Sequence, residues 1–147
     1  MAVPPETVGI PIDTLAAIIL HARAWDAQSG SGERSSSNAS DDGFAAMFSG
    51  GRANPVASEL ANEIDGLSAE EQAALVALAW VGRGDFDAAD WDEAVATALD
   101  RATGPTARYL MEMPLVGDYL EEGASALGIA IADEEADILY GRGRGEA

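Results

Sequence analysis

The residues best suited to chemistry lie in one short turn that follows an apolar segment. Residues 75–91 read LVALAWVGRGDFDAADW, which brings Arg83, Asp85, Asp87 and Asp90 close together in the chain. Carboxylates beside a guanidinium can form structural ion pairs, recognise a ligand, or hold a divalent cation. Nothing in the sequence completes a known catalytic or ligand-binding pattern. This turn therefore indicates where a site could lie, but it does not indicate what activity the site would have.

The spacing of the aspartates in this turn resembles the start of a calcium-binding loop. Asp85 and Asp87 give the opening D-x-D, but the fifth position is Ala89, the sixth is Asp90 where the bend needs glycine, and the twelfth is Ala96 where glutamate is required. An EF-hand is therefore excluded. A weak site for a hard cation is the remaining alternative, and helix N-capping by Asp87 and Asp90 is the favoured interpretation.

A second acidic group, Asp118, Glu121 and Glu122, is predicted to occupy adjoining faces of one helix. Paired carboxylates can bind a divalent ion or act as acid and base, provided that burial raises a pKa. We favour a solvated acidic face, or ion pairs with Arg83 and Arg108. An ion pair of Arg83 with Asp85 or with Asp118 would be a structural clasp.

These observations select a candidate functional cluster while assigning no catalytic residue, metal ligand or cofactor. The only histidine is His21, which excludes a histidine-rich metal site, and we expect it to be a partly covered residue on a helix face. The absence of cysteine excludes disulfides and thiolate sites. The cluster comprises Arg83, Asp85, Trp91, Arg108, Tyr109, Asp118, Tyr119 and Glu122.

The charge balance limits the classes of partner. The 147 residues contain 26 acidic side chains against eight arginines and no lysine, for a formal net charge of −18. Such a surface repels phosphate backbones and anionic headgroups, so we expect no nucleic-acid or membrane partner. A cationic partner, a metal ion or simple solubility fits better, although GC-rich coding bias or a salty environment explains the composition equally well.

The N-terminal residues favour a cytoplasmic location. MAVPPETVGIPID lacks a basic leader region, and the apolar run at residues 15–20 is far shorter than the ~18 residues a membrane-spanning helix needs.

Apolar residues recur at helical spacing in almost every segment, which predicts an all-α fold. Residues 73–81 contain no polar side chain, as expected of a helix surrounded by other helices. We therefore predict a single compact bundle of about five to seven helices around a buried central helix at about residues 69–81. Ser68 and Glu71 form its capping box, Trp80 is buried, and Gly82 ends it.

The predicted domain organisation has three parts. Residues 1–10 are expected to form a flexible N-terminus, residues 11–128 the helical domain, and residues 129–147 a weakly ordered tail. Within the domain, the small polar residues at 29–40 predict a mobile loop.

Four sequence blocks resemble an uncharacterised bacterial family catalogued as domain of unknown function 3775. The resemblance spans roughly residues 12–128, and it departs in the Ser/Gly insertion before Asp41 and in the tail after Gly128. It implies a small bacterial helical domain and carries no activity or catalytic residue to transfer. The blocks are ARAWD around Trp25, DDG at 41–43, LVALAWVGRGD at 75–85 and ARYLMEMPLVGDYLEEG at 107–123.

Two functions are favoured by the sequence, and a third alternative, a protein that imitates the charge of nucleic acid, would require the acids to lie in regular rows on one surface. The first is an acidic cytoplasmic protein-interaction module, favoured because no nucleophile–base pair and no phosphate-binding glycine loop is present; a homodimer is one possible assembly. The second is a carboxylate-based, divalent-metal-dependent hydrolase or isomerase using Asp85, Asp118 and Glu122 around Arg83. An enzyme requires a cleft in which the carboxylates converge, whereas a module requires an exposed apolar patch.

Overall fold

The computed structural model describes residues 8–29 and 54–140 of the chain. These residues form an all-α bundle of seven α-helices and one 3-10 turn, and they contain no strand. The predicted fold class is confirmed. The α-helices are α1 (Ile12–Ser29), α2 (Pro55–Asp65), α3 (Ala69–Arg83), α4 (Trp91–Asp100), α5 (Thr106–Met111), α6 (Val116–Ala126) and α7 (Ile131–Tyr140), and the 3-10 turn (Ala88–Asp90) precedes α4.

Helix α3 is the centre of the bundle, as predicted. Every residue from Ala73 to Val81 is buried. The capping box is formed, because the Ser68 side chain accepts from the Glu71 amide at 3.1 Å and Glu71 accepts from the Ser68 amide at 2.8 Å.

The end of α3 differs from the prediction. Gly82 lies inside the helix, which continues to Arg83, and Gly84 is the C-cap with a left-handed backbone at φ 98°. Its amide donates to the carbonyl of Trp80 at 3.0 Å. Two glycines two residues apart can each end a helix, and the close approach of α6 requires the first one within the helix.

Helix α6 makes the most extensive contact with α3, and glycines allow the two backbones to approach closely. A Cβ atom on Gly82 would lie 2.9 Å from the backbone nitrogen of Gly123, and closer still to the carbonyl of Tyr119. On the neighbouring side, a Cβ atom on Gly117 would lie 2.8 Å from the backbone nitrogen of Arg23 in α1. Helix α6 is therefore held against α3 and α1 at positions where only glycine fits.

Two adjacent side chains of helix α1 form hydrogen bonds with the backbone at the junction between α5 and α6. The indole nitrogen of Trp25 donates to the carbonyl of Met111, the last residue of α5, at 2.8 Å. The buried carboxylate of Asp26 accepts from the amide of Gly117, in the first turn of α6, at 3.0 Å. Asp26 thus acts as an N-cap supplied from another helix, where α6 has no side-chain cap of its own.

The core extends beyond both predicted domain boundaries. Val8 and Ile10 precede residue 11 and are buried, as are Ile129 and Ile131 after residue 128. Helix α7 packs on α1 and buries Ile131 and Glu135, so the bundle extends beyond residue 128. The predicted mobile loop at 29–40 lies outside the described residues apart from the last residue of α1, and so do residues 1–7 and 141–147.

None of the helices in the described ranges is long and apolar enough to cross a membrane.

Candidate binding groove

The turn after α3 forms a local ion pair. Arg83 donates from Nε at 2.9 Å and from Nη2 at 2.6 Å to the same oxygen of Asp85. These hydrogen bonds raise the pKa of the Arg83 guanidinium; partial burial opposes the shift, and Tyr109 adds to it. The two side chains are 37% and 43% exposed, so the pair is a solvent-facing clasp on the end of the helix.

An aromatic cluster lies beside this clasp. The indole nitrogen of Trp80 donates to the hydroxyl of Tyr109 at 2.9 Å, and the rings of Trp80 and Phe86 stack with centroids 5.6 Å apart. Trp80 is only 7% exposed, which confirms its predicted burial. Tyr109 of α5 therefore contacts Trp80 of α3 and lies beside the Arg83 clasp.

A groove of about 490 Å³ opens next to Tyr109, between α3, α4, α5 and the loop that joins α4 to α5. Its apolar surface comes from α3 and α4 and includes Val76, Trp80 and Leu99. Leu99 and Tyr109 are 42% and 43% exposed, respectively. The groove thus presents Leu99 and Tyr109 to solvent beside the buried side chains of Val76 and Trp80. Its volume is within the size range of ligand-binding pockets.

The charge of the groove is opposite to that of the chain. Among the residues that line it, the charged ones are Arg101, Arg108 and Glu112. Arg108 donates from Nε to Glu112 at 3.3 Å, one helical turn away. The lining therefore carries one net positive charge, whereas the whole chain carries −18.

The structure separates Asp118 from Arg83. Arg23 of α1 takes Asp118 as a partner, with its Nε 3.6 Å from Oδ1, and it also pairs with Glu121 and with Glu135 of α7. The interpretation of Asp118 as a partner of Arg83 is therefore wrong, because α6 crosses α3 with that face turned towards α1 and α7.

Glu135 is the most unusual acid of this second cluster. It is 7% exposed, and its Oε2 is buried without a hydrogen-bond partner. Desolvation raises the pKa of Glu135, the charge of Glu121 raises it further, and Arg23 partly offsets both effects. The sequence analysis did not identify this residue, because its burial depends on the packing of α7 against α1.

The other predicted cluster residues lie apart from the groove. Trp91 is buried at the start of α4, close to Val8 and Ala74 on another side of α3. Tyr119 is half-buried, and its backbone contacts Gly82; Glu122 is exposed on α6. Of the eight predicted residues, the groove contains Arg108 and Tyr109, and the Arg83–Asp85 clasp adjoins it.

The remaining polar candidates have structural surroundings. His21 is half-buried, and its Nδ1 is hydrogen-bonded to Glu63 of α2 at 2.8 Å. Neither Asp87 nor Asp90 makes the side-chain capping hydrogen bond that the sequence predicted. Within residues 8–29 and 54–140, no group of three or more histidines, aspartates or glutamates could hold a metal ion.

Two contributors to the groove were missed by sequence reasoning. Leu99 is a large apolar residue of α4 that is exposed, whereas Ala98 beside it is buried. Arg101 sits at the C-cap of α4 and carried no motif. A signal existed in the pair of arginines on either side of Gly104-Pro105, in a chain with few cations.

Residues 57–129 match the family described as "Protein of unknown function (DUF3775)". This part of the chain contains the groove and helices α3 to α6, and the match confirms the predicted resemblance. The match includes the blocks at 75–85 and 107–123, whereas the blocks around Trp25 and at 41–43 lie outside it. No curated protein and no solved structure matches the chain.

Proposed function

We propose that this chain is an acidic, cytoplasmic protein-interaction module of bacterial origin. Its groove between α3, α4 and α5 binds a short apolar segment of a partner protein. The observation that carries the proposal is an open groove of about 490 Å³ on which the side chains of Leu99 and Tyr109 are exposed. Exposed contiguous apolar surface is a mark of interaction sites.

The side chains in the groove are of the kind that anchor protein interfaces. Tyr109, Trp80 and two arginines line it, and aromatic residues and arginine are enriched at the energetically important positions of interfaces. The floor is closely packed, because α3 is buried along its central turns and Trp80 contacts both Tyr109 and Phe86. A preformed floor lowers the entropic cost of binding.

The alternative of a carboxylate-based metal hydrolase or isomerase gains no support from these contacts. It requires Asp85, Asp118 and Glu122 to converge around Arg83. Asp85 is engaged by Arg83, whereas Asp118 is paired with Arg23 on a different face of the bundle.

Two exposed leucines provide a matched test of the binding groove. Leu99 lines the groove at 42% exposure, and Leu139 on α7 is 61% exposed and is not among the residues that line it. We expect Leu99→Asp to weaken binding of a partner at least about tenfold, because a charge would enter an apolar contact. Leu139→Asp should leave binding unchanged.

The measurement begins with a pull-down from native cytoplasm. The candidate partners are the proteins that the wild-type chain and Leu139→Asp retain and that Leu99→Asp does not retain. The dissociation constant of each purified candidate is then determined for all three proteins by calorimetry. Equal affinity of the two leucine variants would show that the groove is not the binding surface. Circular dichroism of both variants ensures that only folded protein is compared.

A further inference from the structure

The groove combines apolar walls with an excess of positive charge. This combination is unexpected in a chain in which acids outnumber arginines 26 to eight. Two arginines and one glutamate are the charged residues among those that line it. We infer that the bound segment carries a single acidic side chain whose carboxylate is recognised by Arg101; this inference rests on the proposed function.

Of the four arginines within residues 8–29 and 54–140, Arg101 is the one best suited to an external partner. Arg23 pairs with three carboxylates, Arg83 pairs with Asp85, and Arg108 pairs with Glu112. Within the described ranges, no ion pair or side-chain hydrogen bond involves Arg101. A guanidinium presents five N–H donors in a planar fork, and two of them match the two oxygens of a carboxylate.

Charge magnitude favours one carboxylate over more highly charged ligands. The lining carries one net positive charge, which a single carboxylate neutralises, whereas a phosphate group would bring up to two negative charges. The chain as a whole repels acidic partners with a net charge of −18. A segment with one acid among apolar residues gains the contact with Arg101 while limiting that repulsion.

The acid is assigned to a side chain within the segment. A free chain terminus is typically captured by clustered backbone amides, whereas a side-chain carboxylate suits the guanidinium of Arg101, which is among the residues that line this groove. Apolar neighbours such as Leu99 reduce the exposure of the contact to water, which strengthens a charge-assisted hydrogen bond.

The test uses an array of ten-residue apolar peptides with amidated C-termini. Each peptide is present with glutamate, glutamine or phosphoserine at one central position, and a fourth form has glutamine with a free C-terminal carboxylate. We expect the wild-type chain to bind the glutamate form about tenfold more tightly than the glutamine form, because the glutamine form lacks one charge-assisted contact. Arg101→Gln should abolish this preference and still bind the glutamine form.

Arg23→Gln serves as the control, because it removes the same charge from the contact between α1 and α6 and should keep the preference. The inference is overturned by equal binding of the glutamate and glutamine forms, by tighter binding of the phosphoserine or free-terminus form, or by an unchanged preference in Arg101→Gln. Failure of the proposed function is distinct, since it would appear as no peptide binding, or as binding that Leu99→Asp leaves intact.

Discussion

Gly82 and Gly123 face each other across the contact between α3 and α6, with 2.9 Å between the backbone nitrogen of Gly123 and the place where a Cβ atom on Gly82 would lie. A Cβ atom on Gly123 would in turn overlap the carbonyl of Leu78. Because the obstructing atoms are backbone, neither helix can relieve the overlap by changing a rotamer.

We therefore expect Gly123→Ala to lower the free energy of unfolding by about 1–3 kcal/mol or more. Gly104→Ala is the control, since a Cβ atom there would meet nothing within 4 Å. Urea titration of both variants measures the difference. Equal stability of the two would mean that α3 and α6 do not approach as closely as described.

Asp26→Ala should destabilise the bundle by about 1–3 kcal/mol, because it leaves the amide of Gly117 buried without its acceptor at the start of α6. Asp65→Ala is the control, because Asp65 is exposed in the last turn of α2, where an acid opposes the helix dipole. Thermal melts of the two variants test the difference, and a cost no larger than that of the control would exclude a capping role.

Glu135 should make the stability of the bundle fall as pH rises. Its folded pKa lies above the ordinary value of 4.5, because burial disfavours the charged form. The folded protein therefore binds a proton that the unfolded chain releases, and stability is lost as pH rises from about 4.5 through the raised pKa.

Glu135→Gln should thus raise the melting temperature at pH 7 to 8 and give no gain below pH 4. Asp133→Asn, on the exposed side of α7, should give no such gain. The groups facing Glu135 are Arg23 of α1 and Glu121 of α6. The assignment would be contradicted if the melting temperatures of wild type and Glu135→Gln differed by the same amount at every pH in this range.

Arg83→Gln separates the clasp from the groove. The Arg83–Asp85 pair is solvent-facing, so its loss should cost no more than about 1 kcal/mol of unfolding free energy. Binding to the glutamate peptides should be unchanged, since Arg83 does not line the groove. Intact stability with lost binding would instead place Arg83 in the binding site.

Salt should stabilise the fold. The net charge of −18 produces mutual repulsion, and the Debye length shortens to about 8 Å at physiological ionic strength. The melting temperature should therefore rise from low to physiological sodium chloride. A flat or falling melting temperature would show that specific pairing already neutralises the acids.

Local patterns in the sequence were sufficient to predict the helices and the centre of the bundle. The uninterrupted apolar run at residues 73–81 predicted the buried helix, and Ser68 with Glu71 predicted its start. These features depend on side chains within one turn of each other, so the chain itself determines them. The end of α3 was misplaced by two residues, because Gly82 and Gly84 carry the same local signal.

Partnerships between helices were decided only by the tertiary structure. Both Arg23 and Arg83 were available to Asp118, and the crossing of α6 over α1 selected Arg23. The groove with Arg101 lies where α4, α5 and the loop between them meet α3, and no spacing in the sequence records that meeting. Helical periodicity states which face of a helix is apolar, but the angle and distance at which two faces meet depend on the packing of both surfaces together.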